Sequence, residues 1–279
     1  MSVYEEIQAN IGMTEFKSLA ERLMQVAENR KRLHGIEIPL PNYIFVADPG
    51  CGVSTSLDQL TRLLRENGLF RFAGERPFFE WMLGKPGSEW SVERLLDRIR
   101  TMAGFHNRFR GVIGLEMEKW TDAEMKDPDF QKLLDLVDDK RNEILFVFVL
   151  PARTDDELND MINAIRMAAP AEIIHFASPT EEEMAEYLKV FLNRKGFGIS
   201  NQAFRELPGM MKKLRESPQF EGLGTLDDLA DEIIYRVCSG GRINETTILS
   251  DDLDFIREQR FLTRTRHAKN HTRRIGFGG

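Results

Sequence analysis

Asn42-Tyr-Ile-Phe-Val-Ala-Asp-Pro-Gly-Cys-Gly-Val-Ser-Thr55 is the stretch on which the fold of this chain turns. An apolar run, Tyr43 to Ala47, leads into a Pro-Gly-x-Gly turn. After the turn, Leu57, Leu60, Leu63 and Leu64 recur at helical spacing. Strand, glycine turn and helix in that order form the framework of a phosphate-binding loop, whose backbone N–H groups meet an anion at a helix N-terminus. The motif is G-x-x-x-x-G-K-[ST]. Ala47 stands at its first glycine, Gly52 at its second, Val53 at its lysine and Ser54 at its hydroxyl. Asp48, Pro49, Gly50, Cys51, Gly52, Val53, Ser54 and Thr55 are therefore the candidate cofactor-binding loop, with the expected cation missing.

The missing lysine weighs on affinity. No Lys or Arg occurs from Asn42 to Thr61, whereas Asp48 lies in the loop and Asp58 in the helix after it. A hydrogen bond to a charged group contributes roughly 1.5–3 kcal/mol, so Val53 forfeits about one to two decades of phosphate affinity. ATP or ADP with Mg²⁺ is expected to bind weakly at most, and no cofactor is required. The plainer reading of the stretch is a strand–turn–helix that holds no nucleotide.

At 279 residues, with 42% hydrophobic and 30% charged side chains, the chain is expected to be a globular protein with a sizeable core. No apolar run reaches the roughly 18 residues of a membrane span. Two cysteines, Cys51 and Cys238, build no disulfide framework and fit a reducing cytoplasm. From Arg257 to Gly279 seven basic residues face one acid, a net of +6; the total is −7, so residues 1–256 carry −13. An acidic body argues against nucleic-acid binding over the whole surface, and the tail, 260–274, is the one stretch that invites it. Its Arg264, Arg266, Lys269, Arg273 and Arg274 suit phosphate contacts, but no aromatic residue between Phe261 and Phe277 offers base stacking.

Outward from the loop, the periodicity predicts a helix from about Thr14 to Leu33 and strands at Arg110–Met117, Glu143–Leu150 and Ile173–Phe176. Gly68 is expected to stop the helix after the loop. Ser91 begins the next helix, and Asp127-Pro128 another that runs to Lys140. Thr154-x-x-Glu157 and Thr180-x-x-Glu183 are capping boxes. Leu69–Gly87 is ambiguous, its aromatics interrupted by Gly74, Pro77 and Gly84. Beyond Gly196 everything reads helical: Ser200–Arg215, Thr225–Cys238 and Asp251–Arg260. Strands alternating with helices, then helices alone, predict an α/β fold: a P-loop-type doubly wound parallel sheet of about five strands with a smaller α-helical domain. The expected domains are 1–178, 179–262, and a basic, disordered tail at 263–279.

This order resembles an AAA+ ATPase module, specifically the group containing red-type rubisco activases and the stage V sporulation ATPases. Four stretches carry the likeness across about residues 11–260: Ile11-Gly12-Met13 before a helix, Asn42–Ser54, Gly111-Val-Ile-Gly-Leu-Glu-Met-Glu118, and Phe176-Ala-Ser-Pro before a capped helix. The resemblance implies that Ile11 and Gly12 lie at the adenine and that residues 111–118 are Walker B. Walker B ends in Asp-Glu, the first holding Mg²⁺ and the second polarising water. Here Glu116 and Met117 stand at those places, and Glu118 faces away from Met117 in a regular strand. The weak metal candidates are thus Ser54 and Glu116, and the weak catalytic ones Glu116, Glu118 and Arg166. A pair of solvated strand-end carboxylates is the plainer account of Glu116 and Glu118, and a surface arginine that of Arg166. The best register puts Ala169 at the arginine-finger position, and Leu226-Asp-Asp where a sensor arginine belongs.

The fold's packing signals are present and its hydrolysis signals are not. The expectation is a pseudo-ATPase, a structural or regulatory subunit that forms a homo-oligomer or a hetero-oligomer with an active AAA+ protein. A slow but genuine ATPase and a nucleic-acid-binding protein using the tail are the alternatives.

Overall fold

In the computed structural model the residues described are 2–33, 38–48, 50–73, 77–84, 89, 91–103, 109–117, 128–153, 156–217, 220–240 and 246–257. The run after the opening asparagine is strand β1 (Asn42–Ala47), buried at all six positions. Such a strand needs neighbours on both edges and helices on both faces. It has them. β4 (Ile144–Pro151) and β5 (Ala171–Phe176) flank it in parallel, with Tyr43 opposite Val147 and Ile44 opposite Ile173. β3 (Gly111–Glu116) lies beyond β4, and β2 (Phe78–Met82) beyond β3, so the order is β2-β3-β4-β1-β5. Every pairing in the sheet is parallel. The ambiguous stretch after Leu69 therefore supplies an edge strand, recognisable only through its partner β3.

Alternation along β1 divides the core. Ile44 and Val46 join one apolar cluster with Leu95, Phe130, Leu133 and Ile165, carried by α4 (Val92–Ala103), α5 (Pro128–Lys140) and α6 (Asp156–Ala168). Tyr43, Phe45 and Ala47 join the other, under α1 (Val3–Gln8), α2 (Thr14–Arg32) and α3 (Val53–Glu66). Phe45 packs against Phe176 with ring centroids 4.9 Å apart, and Phe16 of α2 meets Phe45 edge-on at 6.0 Å. α3 packs closely on the sheet at Gly114 of β3: a Cβ there would stand 2.8 Å from Leu57 Cδ1, so the Leu57 side chain would have to shift. Gly68 stops α3 as expected, in the left-handed region at φ 62°.

The chain divides between Ala177 and Ser178 into two compact units. The second holds α7 (Glu181–Arg194), α8 (Asn201–Arg215) and α9 (Leu223–Ser239) around Met184, Leu188, Leu207, Met211, Leu229 and Ile233. Thr180 and Glu183 form the expected capping box, and Ser200 accepts from the Ala203 N–H at 3.2 Å. The expectation of helices alone needs one correction: β6 (Gly198–Ile199) pairs in parallel with β7 (Thr247–Ile248). Two-residue strands have no periodicity to read. Of the expected final helix, the described part is a 3₁₀ turn at Ser250–Leu253 and one α turn, α10, at Asp254–Arg257; residues 258–260 lie outside the described residues.

Candidate functional site

The loop between β1 and α3 has the backbone of a phosphate cradle. Gly50 and Gly52 both lie in the left-handed region, at φ 81° and 80°, a conformation that costs a side-chain-bearing residue about 1 kcal/mol or more. The Cys51 N–H donates to the Asp48 carbonyl at 3.3 Å, and the Ser56 N–H to the Gly52 carbonyl at 3.0 Å, closing the first turn of α3. No side chain caps that helix at Gly52, so its leading N–H groups are left for solvent or an anion. Cys51 is buried, a small turn residue rather than an accessible thiol. Pro49 lies outside the described residues.

The side chains around the cradle are acidic. Ser54 Oγ donates to Glu80 Oε2 of β2 at 3.2 Å. Glu80 sits opposite Gly114, and Glu116 follows two residues later along β3, on the same face by alternation. Glu116 is half-buried. Withdrawal of the Glu80 carboxyl from water raises its pKa; the Ser54 hydroxyl pulls it back, and the neighbouring Glu116 carboxylate pushes it further up. Sequence reading missed Glu80 because its strand was not recognised. The signal was there: one acid inside the aromatic run Phe78-Phe79-Glu80-Trp81-Met82.

Met117 stands one residue beyond β3, fully buried within the α4–α6 core, its N–H donating to the Val149 carbonyl at 3.0 Å. It is a packing residue. Ile11 and Gly12 are half-buried and tied to α3 from both sides: Asn10 Nδ2 donates to Gln59 Oε1 at 2.8 Å, and the Ser56 hydroxyl lies 3.6 Å from Met13 Sδ. Gly12 and Met13 have positive φ, 68° and 55°, and Met13 is the sole non-glycine residue so placed among those described. The structure thus brings Ile11 and Gly12 to the helix of the loop, and Glu116 to Ser54 through Glu80.

Arg166 is exposed in the last turn of α6, while Ala169 is buried. In the second unit Leu226 is fully buried, and Asp227 accepts from the Tyr187 hydroxyl at 2.8 Å. Glu118, Thr154 and the tail 260–274 lie outside the described residues. Among the described residues no group of three or more His, Cys, Asp or Glu side chains is arranged to hold a metal, and no helix is long and apolar enough to cross a membrane.

The sequence's resemblance to an AAA+ module implies ATP and Mg²⁺. The oxygens of Ser54, Glu80 and Glu116 suit a hard cation in kind. A polyphosphate is another matter: the backbone fits it in shape, but Asp48, Glu80 and Glu116 oppose it in charge.

No protein-family model matches this chain, and no curated protein does. Solved structures do. RuvB from Thermotoga maritima, an AAA+ ATPase, matches in three mutant forms. One gives a TM-score of 0.56 at 13% identity, over 91% of this chain and 72% of RuvB. The other two give 0.51 and 0.52 at 12% and 14% identity, each over 87% of this chain and over 69% and 68% of theirs. Likeness at that identity is likeness of fold. Five parallel strands flanked by helices, with a glycine turn after β1, form an α/β P-loop-like fold that matches the RuvB structures.

Proposed function

We propose that this chain is an AAA+-fold subunit that does not turn over ATP and acts through association with other copies or with an active AAA+ protein. Residues 1–178 form its nucleotide-type domain and 179–262 its lid, within the group of red-type rubisco activases and stage V sporulation ATPases. The observation that carries the proposal is the hydrogen bond of Ser54. The hydroxyl that should reach a metal donates to Glu80 at 3.2 Å, in a loop without its own cation and beside a second carboxylate. Met117, at the place of the water-polarising glutamate, supports the same reading because it is committed to the core. Losing one preorganised electrostatic group lowers a rate about 10²–10³-fold, so losing several leaves negligible turnover.

Titration calorimetry with ATP and with ADP, each with Mg²⁺, tests the proposal. No saturable heat up to millimolar nucleotide is expected; micromolar binding overturns the reading of Val53, and phosphate release from ATP overturns the proposal. One observation favours a genuine but slow ATPase instead, namely that Ser54, Glu80 and Glu116 gather oxygen donors at the place of Mg²⁺. That reading requires Mg²⁺-dependent phosphate release that stops when Glu116 becomes Gln.

A further inference from the structure

The opposite end of the sheet holds a cavity of about 580 Å³, a size suited to a small organic ligand. It opens where strands begin: Asn42 starts β1, Leu145 lies at the start of β4, Pro170 precedes β5 and Arg110 precedes β3. Four arginines line it, Arg30, Arg71, Arg110 and Arg141, and among its described lining residues there is no carboxylate. That is a local reversal, since residues 1–256 carry −13.

Two of the guanidinium groups are held in place by backbone carbonyls. Arg30 Nη1 donates to the Gly68 carbonyl at 2.5 Å, and Arg110 Nη2 to the Asn142 carbonyl at 2.9 Å. Both acceptors lie just past a helix C-terminus, after α3 and after α5, so capping accounts for one nitrogen of each. For Arg110 it does not account for the rest. A guanidinium has five N–H donors, and Nε of Arg110 is buried with no hydrogen-bond partner. The Arg110 backbone is itself fixed by a two-way bridge to Ala73, with bonds of 2.9 and 2.8 Å. Among the described residues Arg141 pairs with Asp138 at 3.7 Å, and its side chain is 53% exposed. The remaining wall is apolar, formed by Leu40, Leu69, Phe70 and Pro170.

We propose that this cavity binds a small organic anion, its phosphate or carboxylate held by the arginines and its apolar part against Phe70 and Pro170. Planar guanidinium forks pair with both anion types through two parallel hydrogen bonds, and groups already held in place lose little freedom on binding. β1 separates the cavity from the glycine loop by six residues, about 20 Å. The assignment is therefore independent of whether nucleotide binds.

The probe is phenyl phosphate, titrated into the full chain at low salt by calorimetry, with phenol and inorganic phosphate as its separated halves. Saturable binding of phenyl phosphate is expected, tighter than that of either half. The double variant Arg71→Gln/Arg141→Gln should weaken it by at least about tenfold. Arg141→Gln alone, at an exposed position, should weaken it by about threefold or more. Arg110→Gln removes the side chain with the unpartnered nitrogen and should also lose affinity. Absence of saturable binding to the unmodified chain overturns the proposal. So does affinity unchanged in R141Q, which would move the probe to the glycine loop. Binding of a hexaglutamate peptide without binding of phenyl phosphate would replace the small ligand with an acidic protein segment, and equally overturns it.

Discussion

The two ends of this five-stranded sheet differ in charge the opposite way round from what a phosphate-binding fold suggests. Beside the glycine turn stand Asp48, just after β1, Glu116, the last residue of β3, and Glu80 of the neighbouring β2, which accepts from Ser54. At the opposite end, where β1, β3 and β4 begin, the cavity is lined by Arg30, Arg71, Arg110 and Arg141. Topology decides where a loop and a helix N-terminus meet; it does not decide the charge of what surrounds them. A backbone cradle is enforced by packing and by glycine φ values, and its survival says nothing of the ligand.

The sharpest way to break the comparison is to put the catalytic carboxylate back. Met117→Glu places an acid in the α4–α6 core, where burial of an unpaired carboxylate is expected to destabilise the fold by at least about 3 kcal/mol. The urea midpoint should fall accordingly and recover partly as pH is lowered, while Met117→Leu stays within about 1.5 kcal/mol. A stable Met117→Glu chain that releases phosphate from ATP would show that the acidic end is a working site one residue short.

Val53→Lys comes next. Restoring the cation at the first position of α3 should raise ATP affinity by about ten- to a hundredfold, measured by calorimetry against the unmodified chain. No gain would mean that Glu80 and Glu116, rather than the missing lysine, set the limit. Glu80→Gln added to Val53→Lys separates the two causes.

The basic end offers a test of smaller size. Asn42 is buried, and its Oδ1 accepts from the Phe146 N–H at 2.9 Å, just where β1 and β4 begin to pair. Asn42→Ala leaves that N–H without a partner and is expected to lower unfolding free energy by about 1–3 kcal/mol. Calorimetric affinity for phenyl phosphate in the same variant reports whether the cavity wall depends on this bond.

How much of this was legible in the sequence follows from what each signal depends on. β1, β3 and β4 announce themselves as apolar runs, because strands buried on both faces need no alternation; β5, a partly buried edge strand, shows only as the short run from Ile173, and the capping box at Thr180 is local chemistry. β2 was hidden: Phe78–Met82 is an edge strand between breakers, and only the register with β3 makes it one. Glu80 was hidden with it, and so the charge of the loop end was underestimated. The arginine cavity was hidden for a different reason. Its four cations are separated by up to 111 positions, Arg30 to Arg141, and meet only because the beginnings of parallel strands lie side by side.

Glu80 also gives the smallest effect, and its sign is fixed. Burial raises its pKa above the ordinary carboxylate value, and Glu116 adds to the shift despite the Ser54 hydrogen bond. Folding therefore favours the protonated form. Stability from this group is fully present below the unfolded carboxylate pKa and is lost as pH rises through the folded value. Glu80→Gln removes the loss, so the variant should match the unmodified chain near pH 4 and become the more stable of the two toward neutrality. The residue as a whole is exposed, so solvent screens the effect, and the gain should stay below about 1 kcal/mol. Urea midpoints across that window measure it. A variant less stable at neutral pH would mean that the Glu80 carboxylate is held by a favourable partner, and that the loop end is less acidic in effect than in composition.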